Sequence, residues 1–297
     1  MSINHPVEVS LHMLLQEVAA GKGEVSEEIL DKVADDVKIA LKKQLTGKSR
    51  KENFSLRMSN LGRPTCQLWF DKNKPELATP MQPFFLMQML IGDVTEAVMK
   101  GLLRAAGVAF TDTETVVLDI ANTSIKGSYD LLLDKEVVDI KSASPWSYKN
   151  KFDNYETLEE GDSFGYVSQL VGYAKAAKVD VGGWLVINKS NGEFKYLKAT
   201  PDVDKVLKQI EATVSYINND EPFKRSFEAE AETFYGKLTG NLVVPEACHF
   251  CNYRSSCWTN VRTLPKLVTK ASTKEGAMTD YVYVAPEHEA KAAAYET

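Results

Sequence analysis

Two apolar segments joined by a short polar turn, within residues 127–142, constrain the fold of this chain more than any other feature. The second segment is rich in Val and Ile and is typical of a buried β-strand. Three ionisable residues, Asp130, Asp139 and Lys141, nevertheless lie within these segments. Because an unpaired charge is costly to bury, these three residues indicate a functional site rather than ordinary core packing.

The spacing of the two segments predicts a specific hairpin register. If residues 134–135 form a two-residue loop, Leu133 pairs with Glu136 and Asp130 lies opposite Asp139. Side chains that face each other on antiparallel strands have Cβ atoms about 4.5–5.5 Å apart. Two carboxylates at that separation repel one another unless a cation or a proton lies between them. A surface hairpin with solvated charges is the alternative interpretation.

Two facing carboxylates beside a lysine suit a divalent metal site. Mg²⁺ and Mn²⁺ prefer oxygen ligands, and a metal of this kind activates water and stabilises charge on a phosphoryl oxygen. The lysine can position or deprotonate the water, or stabilise developing negative charge. The combination favours phosphodiester hydrolysis. The sequence contains no H-E-x-x-H motif and no Walker loop, which argues against a zinc protease and an ATPase motor.

The pattern of Asp130 followed by Asp139-Ile140-Lys141 resembles the D…(D/E)-x-K core of the PD-(D/E)XK nuclease superfamily. The spacing of Gly127 and Asp130, with the run Val-Val-Asp-Ile-Lys-Ser, resembles its RecB-type branch. This resemblance implies an α/β fold with a restriction-endonuclease-like core, in which helices flank a central mixed β-sheet. It also implies a Mg²⁺- or Mn²⁺-dependent deoxyribonuclease in which the backbone carbonyl of Ile140 completes the metal site and Lys141 assists the attacking water.

Two predicted helices supply further candidate residues. Residues 83–106 have helical periodicity, and Glu96 in their polar part matches the acidic metal ligand that the family carries on a helix before the hairpin. Residues 166–178 place Gln169 and Tyr173 on one helix face, like the Q-x-x-x-Y motif of RecB-type exonucleases that orients the substrate strand. A solvent-facing glutamate and a chance Gln–Tyr spacing are the alternatives. The family's frequent early histidine has no counterpart near Glu96, which leaves the number of metals open.

Four cysteines, Cys66, Cys248, Cys251 and Cys257, suggest a second cofactor. A chain of 297 residues can build a core without disulfides, and its start does not read as a signal peptide, so the thiols favour an iron–sulfur cluster or zinc. One early cysteine and three late ones resemble AddB-type nucleases, the eukaryotic nuclease-helicase of Okazaki processing and CRISPR-associated Cas nucleases. That resemblance implies a 4Fe–4S cluster that closes the domain, with Zn²⁺ as the alternative.

The net charge of −6 does not itself indicate a DNA-binding protein, but nucleases can concentrate positive charge in a groove. The candidate DNA contacts are basic residues that precede or follow the predicted core; they are Arg63, Lys149 and Lys151, with Lys48, Arg50, Lys51 and Arg57 as further candidates. Three aromatic residues near the hairpin are predicted either to stack on single-stranded bases or to pack internally; they are Trp146, Tyr148 and Phe152.

The expected organisation has three parts: a helical N-terminal segment at 1–47, a nuclease domain with its iron–sulfur staple at 48–265, and a polar tail at 266–297 that is flexible or forms a short partner-binding helix. No apolar run approaches the ~20 residues of a membrane helix. We therefore expect a cytoplasmic protein, bacterial or from a phage-infected cell, with DNA and replication or recombination proteins as partners and no membrane partner.

The expected function is that of a DNA exonuclease acting on single strands or DNA ends in recombination, replication or repair. A CRISPR spacer-processing nuclease, and a non-catalytic DNA-binding or scaffolding module on the same fold, are the alternatives.

Overall fold

The computed structural model describes residues 5–46, 54–268 and 277–296. The chain divides into two compact units that do not follow the expected boundaries. The first, which we call the core unit, comprises residues 1–63 and 81–220, and the second, which we call the cysteine unit, comprises residues 64–80 and 221–297. No helix in the described ranges is long and apolar enough to cross a membrane.

The chain contains both helices and strands, in groups of one to four, as expected for an α/β protein. The helices are α1 (Pro6–Ala19), α2 (Glu27–Leu45), α3 (Thr65–Asn73), α4 (Pro83–Ala105), α5 (Tyr155–Glu160), α6 (Tyr166–Ala177), α7 (Val203–Asn218), α8 (Arg254–Cys257) and α9 (Pro286–Glu296). The strands are β1 (Thr115–Ile120), β2 (Thr123–Ser128), β3 (Leu131–Leu133), β4 (Glu136–Ala143), β5 (Asp180–Asn188), β6 (Phe194–Lys198), β7 (Glu230–Phe234), β8 (Lys237–Val243), β9 (Arg262–Pro265) and β10 (Met278–Tyr283).

A four-stranded mixed sheet in the order β3-β4-β5-β6 organises the core unit. The β4–β5 pair is parallel, whereas β3–β4 and β5–β6 are antiparallel. Alternate residues of β4 enter two different apolar clusters, because successive side chains of a strand point to opposite faces. Val138 and Ile140 pack with residues of α1 and α4, whereas Val137 packs with residues of α6 and α7. Asp139 and Lys141 follow Val137 by two and four residues, so they lie on the same face of the strand as Val137, the face toward α6.

The predicted register of the β3–β4 hairpin is confirmed, since Leu133 pairs with Glu136 and Leu132 with Val137. The loop residues Asp134 and Lys135 both have positive φ, at 48° and 67°. Two positive φ values are the signature of a type I′ turn, whose twist matches that of the flanking strands. The turn therefore forms without the glycine that usually favours it.

The first of the two apolar segments is not a single strand. Strand β2 ends at Ser128 and belongs to a separate hairpin with β1, and β3 begins only at Leu131. At the break, the side chain of Asp130 accepts the backbone N–H of Ile140 at 2.7 Å. A carboxylate thus bonds this N–H at the point where the β3 ladder stops.

The two predicted N-terminal helices are confirmed, and both belong to the core unit. Helix α1 covers the edge strand β6, where the Glu8 carboxylate accepts the N–H of Tyr196 at 2.9 Å and His5 stacks on the Tyr196 ring. Covering a sheet edge in this way protects it from pairing with another chain.

The cysteine unit has its own four-stranded sheet, in the order β7-β8-β10-β9. Residues 277–296 lie in the segment expected to be a flexible tail or a short partner-binding helix, and they form β10 and α9 of the cysteine unit. Tyr281 and Ala292 are buried there, and Tyr281 accepts the N–H of Leu267 at 2.9 Å. Residues 281–284 form a short apolar run, Tyr-Val-Tyr-Val, that buries Tyr281 and Val284 although the surrounding composition is polar.

Packing between α2 and α4 depends on a glycine, which gives a test of the core unit. A Cβ at Gly101 would overlap the Cγ2 atom of Val33, whereas a Cβ at Gly92 of the same helix would meet only the Ser142 Oγ at 3.7 Å. We predict that Gly101→Ala lowers the free energy of unfolding by roughly 1–3 kcal/mol, because overpacking a stiff β-branched neighbour forces a shift.

Gly92→Ala is the matched control and should be neutral or stabilising by up to ~1 kcal/mol, as expected for Ala in a helix. Urea denaturation followed by circular dichroism measures both variants. Equal stability of the two would contradict the packing described for α2 and α4.

Candidate active site and cysteine cluster

Two carboxylates, the half-buried Asp130 and the buried Asp139, meet at the end of the β3–β4 ladder. Asp130 lies one position beyond the Leu131–Val138 pair, in register with Asp139. Burial, together with the charge of Asp139, raises the pKa of Asp130 to about 6. Burial also raises the pKa of Asp139, whose exposed fraction is only 5%. The register predicted a close pair of acids, and the structure brings these two together.

Lys141 supplies the positive charge beside this pair. Its Nζ atom donates to Asp139 Oδ1 at 2.9 Å and lies 2.7 Å from Oδ2. Burial alone would lower the pKa of Lys141, but the charges of Asp139 and Asp130 outweigh it and raise the pKa above its usual value. In this arrangement Lys141 is a fixed cation, which suits charge stabilisation better than proton abstraction.

The carboxylate oxygens provide the donor chemistry of a metal site. Asp139 Oδ2 is buried and has no hydrogen-bond partner in the described part of the chain, since its approach to Lys141 lies outside hydrogen-bond geometry. A hard divalent cation takes such an oxygen readily. No group of three or more His, Cys, Asp or Glu side chains among the described residues already has metal-holding geometry. The donor set therefore fits Mg²⁺ or Mn²⁺, but its side chains must turn to converge.

Glu96 approaches the pair from α4, and a lysine that the sequence reasoning missed holds it. Burial, followed by the charge of Asp130, raises the pKa of Glu96. Lys100 donates to Glu96 Oε1 at 2.7 Å and also donates to Thr113 Oγ1, which in turn donates to the carbonyl oxygen of Asp130 at 3.0 Å. With only 5% exposed, Lys100 links α4 to the Asp130 segment. The i, i+4 spacing of Glu96 and Lys100 on a predicted helix is the sequence feature that could have indicated this ion pair.

The Gln169–Tyr173 pair of α6 faces the same site. Gln169 Nε2 donates to the Tyr173 hydroxyl at 3.4 Å, and Tyr173 is 4% exposed. Burial raises the pKa of Tyr173, and the charges of Asp139, Asp130 and Lys141 act on the hydroxyl as well. The predicted helix face therefore lies within electrostatic reach of the acidic pair.

The predicted DNA-contact residues differ in their surroundings. Lys151 lies close to the site, with its Nζ 4.7 Å from the centroid of the Tyr166 ring, and the Lys141 Nζ lies 5.0 Å from the same centroid. Lys149, Arg57 and Arg63 are exposed. The residues Lys48, Arg50 and Lys51 lie outside the described ranges.

The three aromatic candidates near the hairpin also differ in how far they are exposed to solvent. Tyr148 and Phe152 are buried, at 8% and 3% exposed, and pack internally. Trp146 is 64% exposed and presents its ring to solvent. Burial therefore removes Tyr148 and Phe152 as stacking platforms in this conformation.

Residues 161–165 read Gly-Asp-Ser-Phe-Gly and match the G-x-S-x-G pattern of the hydrolase nucleophile elbow. That motif requires a strand that turns sharply into a helix. Here the segment instead connects α5 to α6, and the Asp162 carboxylate accepts the N–H groups of Tyr166 and Val167 at 2.9 and 2.8 Å. Its context is that of a helix start, which excludes a nucleophile elbow at Ser163.

The four cysteines all lie in the cysteine unit, at the start of α3, in a short turn after β8 and at the end of α8. All four are described, and none forms a disulfide. Burial raises the pKa of Cys251 to about 11, and the charges of the other three thiols add to it. The charge of Cys66 likewise acts to raise the pKa of Cys248 and of Cys257. The fold thus gathers four thiols that are far apart in sequence.

Two side chains next to the thiols favour their charged form. Trp258 acts to lower the pKa of Cys248 and Arg225 to lower that of Cys257, although burial outweighs both and raises the two pKa values. The indole N–H of Trp258 is itself buried and forms no hydrogen bond in the described part of the chain. Arg225 also donates to the Cys257 carbonyl at 2.7 Å and lies over the Trp258 ring at 4.4 Å. Four thiols near one another are the ligand chemistry of an iron–sulfur cluster or zinc. Among the described residues, however, no three of these thiols have metal-holding geometry as they stand.

No protein-family model and no curated protein matches this chain. Among solved structures, the chain is similar to the one titled "Crystal structure of SSO0001", at 15% sequence identity and a TM-score of 0.38. That likeness covers 61% of this chain and 84% of the other. The chain's own residues therefore carry the functional interpretation.

The raised pKa of Asp130 predicts how stability depends on pH in the metal-free protein. Because the folded pKa is about 6 and the ordinary value 3.8, the free energy of unfolding should fall as pH rises through this interval. Asp130→Asn keeps an acceptor for the Ile140 N–H but removes the charge. At about pH 7 it should be more stable than the wild type by roughly 1–3 kcal/mol.

Urea denaturation in EDTA at about pH 4 and about pH 7 measures this difference. Asp35→Asn, at an exposed position on α2, is the control and should leave the pH dependence unchanged. If the wild type and the Asp130→Asn variant have the same pH dependence of stability, then folding does not raise the pKa of Asp130.

Proposed function

We propose that this protein is a metal-dependent deoxyribonuclease that hydrolyses phosphodiester bonds in single-stranded DNA or at DNA ends. The observation that carries the proposal is the Asp130–Asp139 pair with Lys141 held beside it. Stability alone does not explain this arrangement, because buried like charges destabilise a folded protein unless something compensates them. Such costly groups persist where they serve a chemical function.

The sheet supports a restriction-endonuclease-like core of the PD-(D/E)XK type. Its mixed order β3-β4-β5-β6 carries the acidic pair where β3 meets β4, and apolar clusters with helices cover both faces. Pairing Asp130 with Asp139-x-Lys141 across such a hairpin is the arrangement that the sequence motif requires. We assign the chain to the RecB-like branch of that superfamily on these residues alone.

Asp130, Asp139 and Glu96 are the residues we propose to hold one or two Mg²⁺ or Mn²⁺ ions, with the carbonyl of Ile140 completing the site. When bound, the metal supplies an activated water and stabilises charge on the phosphoryl group. Lys141 provides a permanent positive charge next to the reacting phosphate.

Two other groups position the substrate and the acidic ligands. The hydroxyl of Tyr173 and the amide of Gln169 orient the substrate strand. Lys100 keeps Glu96 in place and offsets its charge, so that two ammonium groups lie beside three carboxyl groups.

The cysteine unit is proposed to carry a 4Fe–4S cluster bound by Cys66, Cys248, Cys251 and Cys257, with Zn²⁺ as the alternative. Its role is structural, because the thiols join α3 to segments more than a hundred residues later in the chain. DNA recombination, replication or repair in the bacterial or phage-infected cytoplasm is the proposed setting, and CRISPR spacer trimming is the alternative pathway.

We predict that the wild type degrades DNA only when Mn²⁺ or Mg²⁺ is present, and that Asp139→Ala and Lys141→Met each lower the rate roughly 10²–10⁴-fold. Each substitution removes a group placed next to the reacting phosphate. End-labelled single-stranded, double-stranded and flap substrates measure the rate and the polarity of digestion.

Asp35→Ala controls for the loss of a carboxylate and should retain full activity. No metal-dependent cleavage by the wild type on any of the three substrates would reject the enzyme. DNA binding without cleavage would then favour the non-catalytic module.

We predict that protein purified without oxygen is brown and contains iron and sulfide in equal amounts, and that Cys251→Ser loses both. Metal analysis and visible absorption measure the cluster. Thermal unfolding should also show a less stable cysteine unit in the variant, because the metal binds only the folded thiol arrangement. Colourless protein with stoichiometric zinc would establish the zinc alternative, and protein with neither metal would reject both.

A further inference from the structure

The turn that follows β4 presents an exposed indole ring that the proposed hydrolysis does not use. Residues Ser147–Lys151 form a π-helical turn, and Trp146 lies directly before it. Such turns are rare and recur at functional sites. Trp146 is 64% exposed, and its ring has no aromatic or cation–π partner in the part of the chain that the structure describes. Because only five residues separate it from Lys141, their Cα atoms lie at most about 18 Å apart.

Hydrogen bonds and packing fix the backbone that carries this ring. The Ser147 N–H donates to Ser144 Oγ at 3.1 Å, and Asn150 Nδ2 donates to the Trp146 carbonyl oxygen at 2.8 Å. Tyr148 of the same turn is buried and anchors it in the core. The indole therefore projects from an ordered backbone, which limits the entropy lost when a ligand binds there.

Lys195 of β6 lies on the same face of the sheet as Lys141. It pairs with Val186 of β5, and Val186 in turn pairs with Lys141 of β4. Directly paired residues project to the same face of a sheet, so the two lysines belong to one row across three strands. The Lys195 Nζ lies 4.6 Å from the centroid of the Tyr148 ring, which places it against the turn.

Lys151 and Lys195 are half-buried cations, and neither forms an ion pair with any residue that the structure describes. Burial lowers the pKa of both lysines; the charge of Asp162 opposes this at Lys151, and those of Asp153 and Glu8 oppose it at Lys195, without outweighing it. A cation that has lost part of its hydration without gaining an ion pair is stabilised by an anion that binds to it.

The local charge is complementary to a polyanion, although the whole chain has a net charge of −6. Residues 140–152 contain three lysines and no acidic residue. An exposed aromatic ring beside unpaired lysines is the combination that binds single-stranded nucleic acid, since the ring stacks on a base and the lysines bind phosphates. We call Trp146, Lys151 and Lys195 the turn surface.

We propose that the turn surface binds the single-stranded part of the substrate next to the scissile phosphate, with one unpaired base stacked on Trp146 and phosphates on Lys151 and Lys195. This inference rests on the proposed nuclease function and adds a substrate preference to it. Stacking needs an exposed base face, which a single strand offers and a base-paired duplex does not. Every base has such a face, so the turn surface selects single strands without selecting their sequence.

The test is equilibrium binding in an Asp139→Asn background, in which the DNA stays intact, read by fluorescence anisotropy of a labelled oligonucleotide. Adding Trp146→Ala should weaken single-strand binding about 5- to 150-fold, the range that corresponds to stacking of one base. Binding of a blunt duplex should not change. Trp146→Phe should retain most of the single-strand affinity, because it keeps an aromatic face.

The emission of the indole itself gives a second readout, which a merely structural role would not move. A base stacked on an indole quenches its fluorescence. The other three tryptophans are half-buried or buried; they are Trp69, Trp184 and Trp258. Single-stranded DNA should therefore quench part of the emission of the Asp139→Asn protein, and Trp146→Phe should abolish that quenching.

Two controls match the substitutions in the turn surface. Tyr235→Ala removes an aromatic ring that is 91% exposed in the cysteine unit, and it should leave both affinities unchanged. Lys151→Met and Lys195→Met should each lower the salt dependence of single-strand binding by about one phosphate contact. Lys208→Met, at an exposed position on α7, should leave the salt dependence as it is.

Unchanged single-strand affinity in Trp146→Ala, an equal loss on the duplex, or quenching that persists in Trp146→Phe would overturn the turn surface. These outcomes do not depend on catalysis, because binding is measured without cleavage. A wild type that binds single strands through Trp146 but never cleaves them would instead overturn the nuclease and leave the turn surface standing.

Discussion

The hydrogen bond from the Ile140 N–H to the Asp130 carboxylate, at 2.7 Å, is the interaction on which the site depends. It forms where the β3 ladder ends, so a side chain satisfies a backbone donor that would otherwise be unpaired in the core. The same bond fixes the Asp130 carboxylate against β4, next to Asp139. The architecture of the hairpin and the electrostatics of the site therefore have one common origin.

Repulsion between these acids is offset by two lysines that reach the site from different elements. Lys141 comes from β4 itself, whereas Lys100 comes from α4 and is linked through Thr113 to the Asp130 backbone. Lys100 is buried and Lys141 is half-buried, and both would be unfavourable there without their carboxylate partners. The acids and the lysines thus require one another, and losing one member leaves an uncompensated charge in the interior.

The sequence predicted those parts of the structure that depend on local spacing. The β3–β4 register followed from a two-residue loop and the period-two pattern of the strands, and α4 and α6 followed from apolar periodicity. It did not predict the partners of Lys100 or the position of Lys151 over the Tyr166 ring, because these contacts join segments whose approach only the packed sheet determines. The strand at residues 278–283 was missed for a related reason: a polar composition concealed one buried face.

The path of the chain through the two units has a consequence for synthesis. The cysteine unit takes residues 64–80 early and everything after residue 220, and Tyr253 bonds to Asp71 across 182 positions. The segment bearing Cys66 therefore leaves the ribosome long before its partners exist, while residues 81–220 of the core unit are still being made. Insertion of the proposed cluster would then have to wait until residues 248–257 have been translated, so that loading of the thiols follows synthesis of the whole core unit.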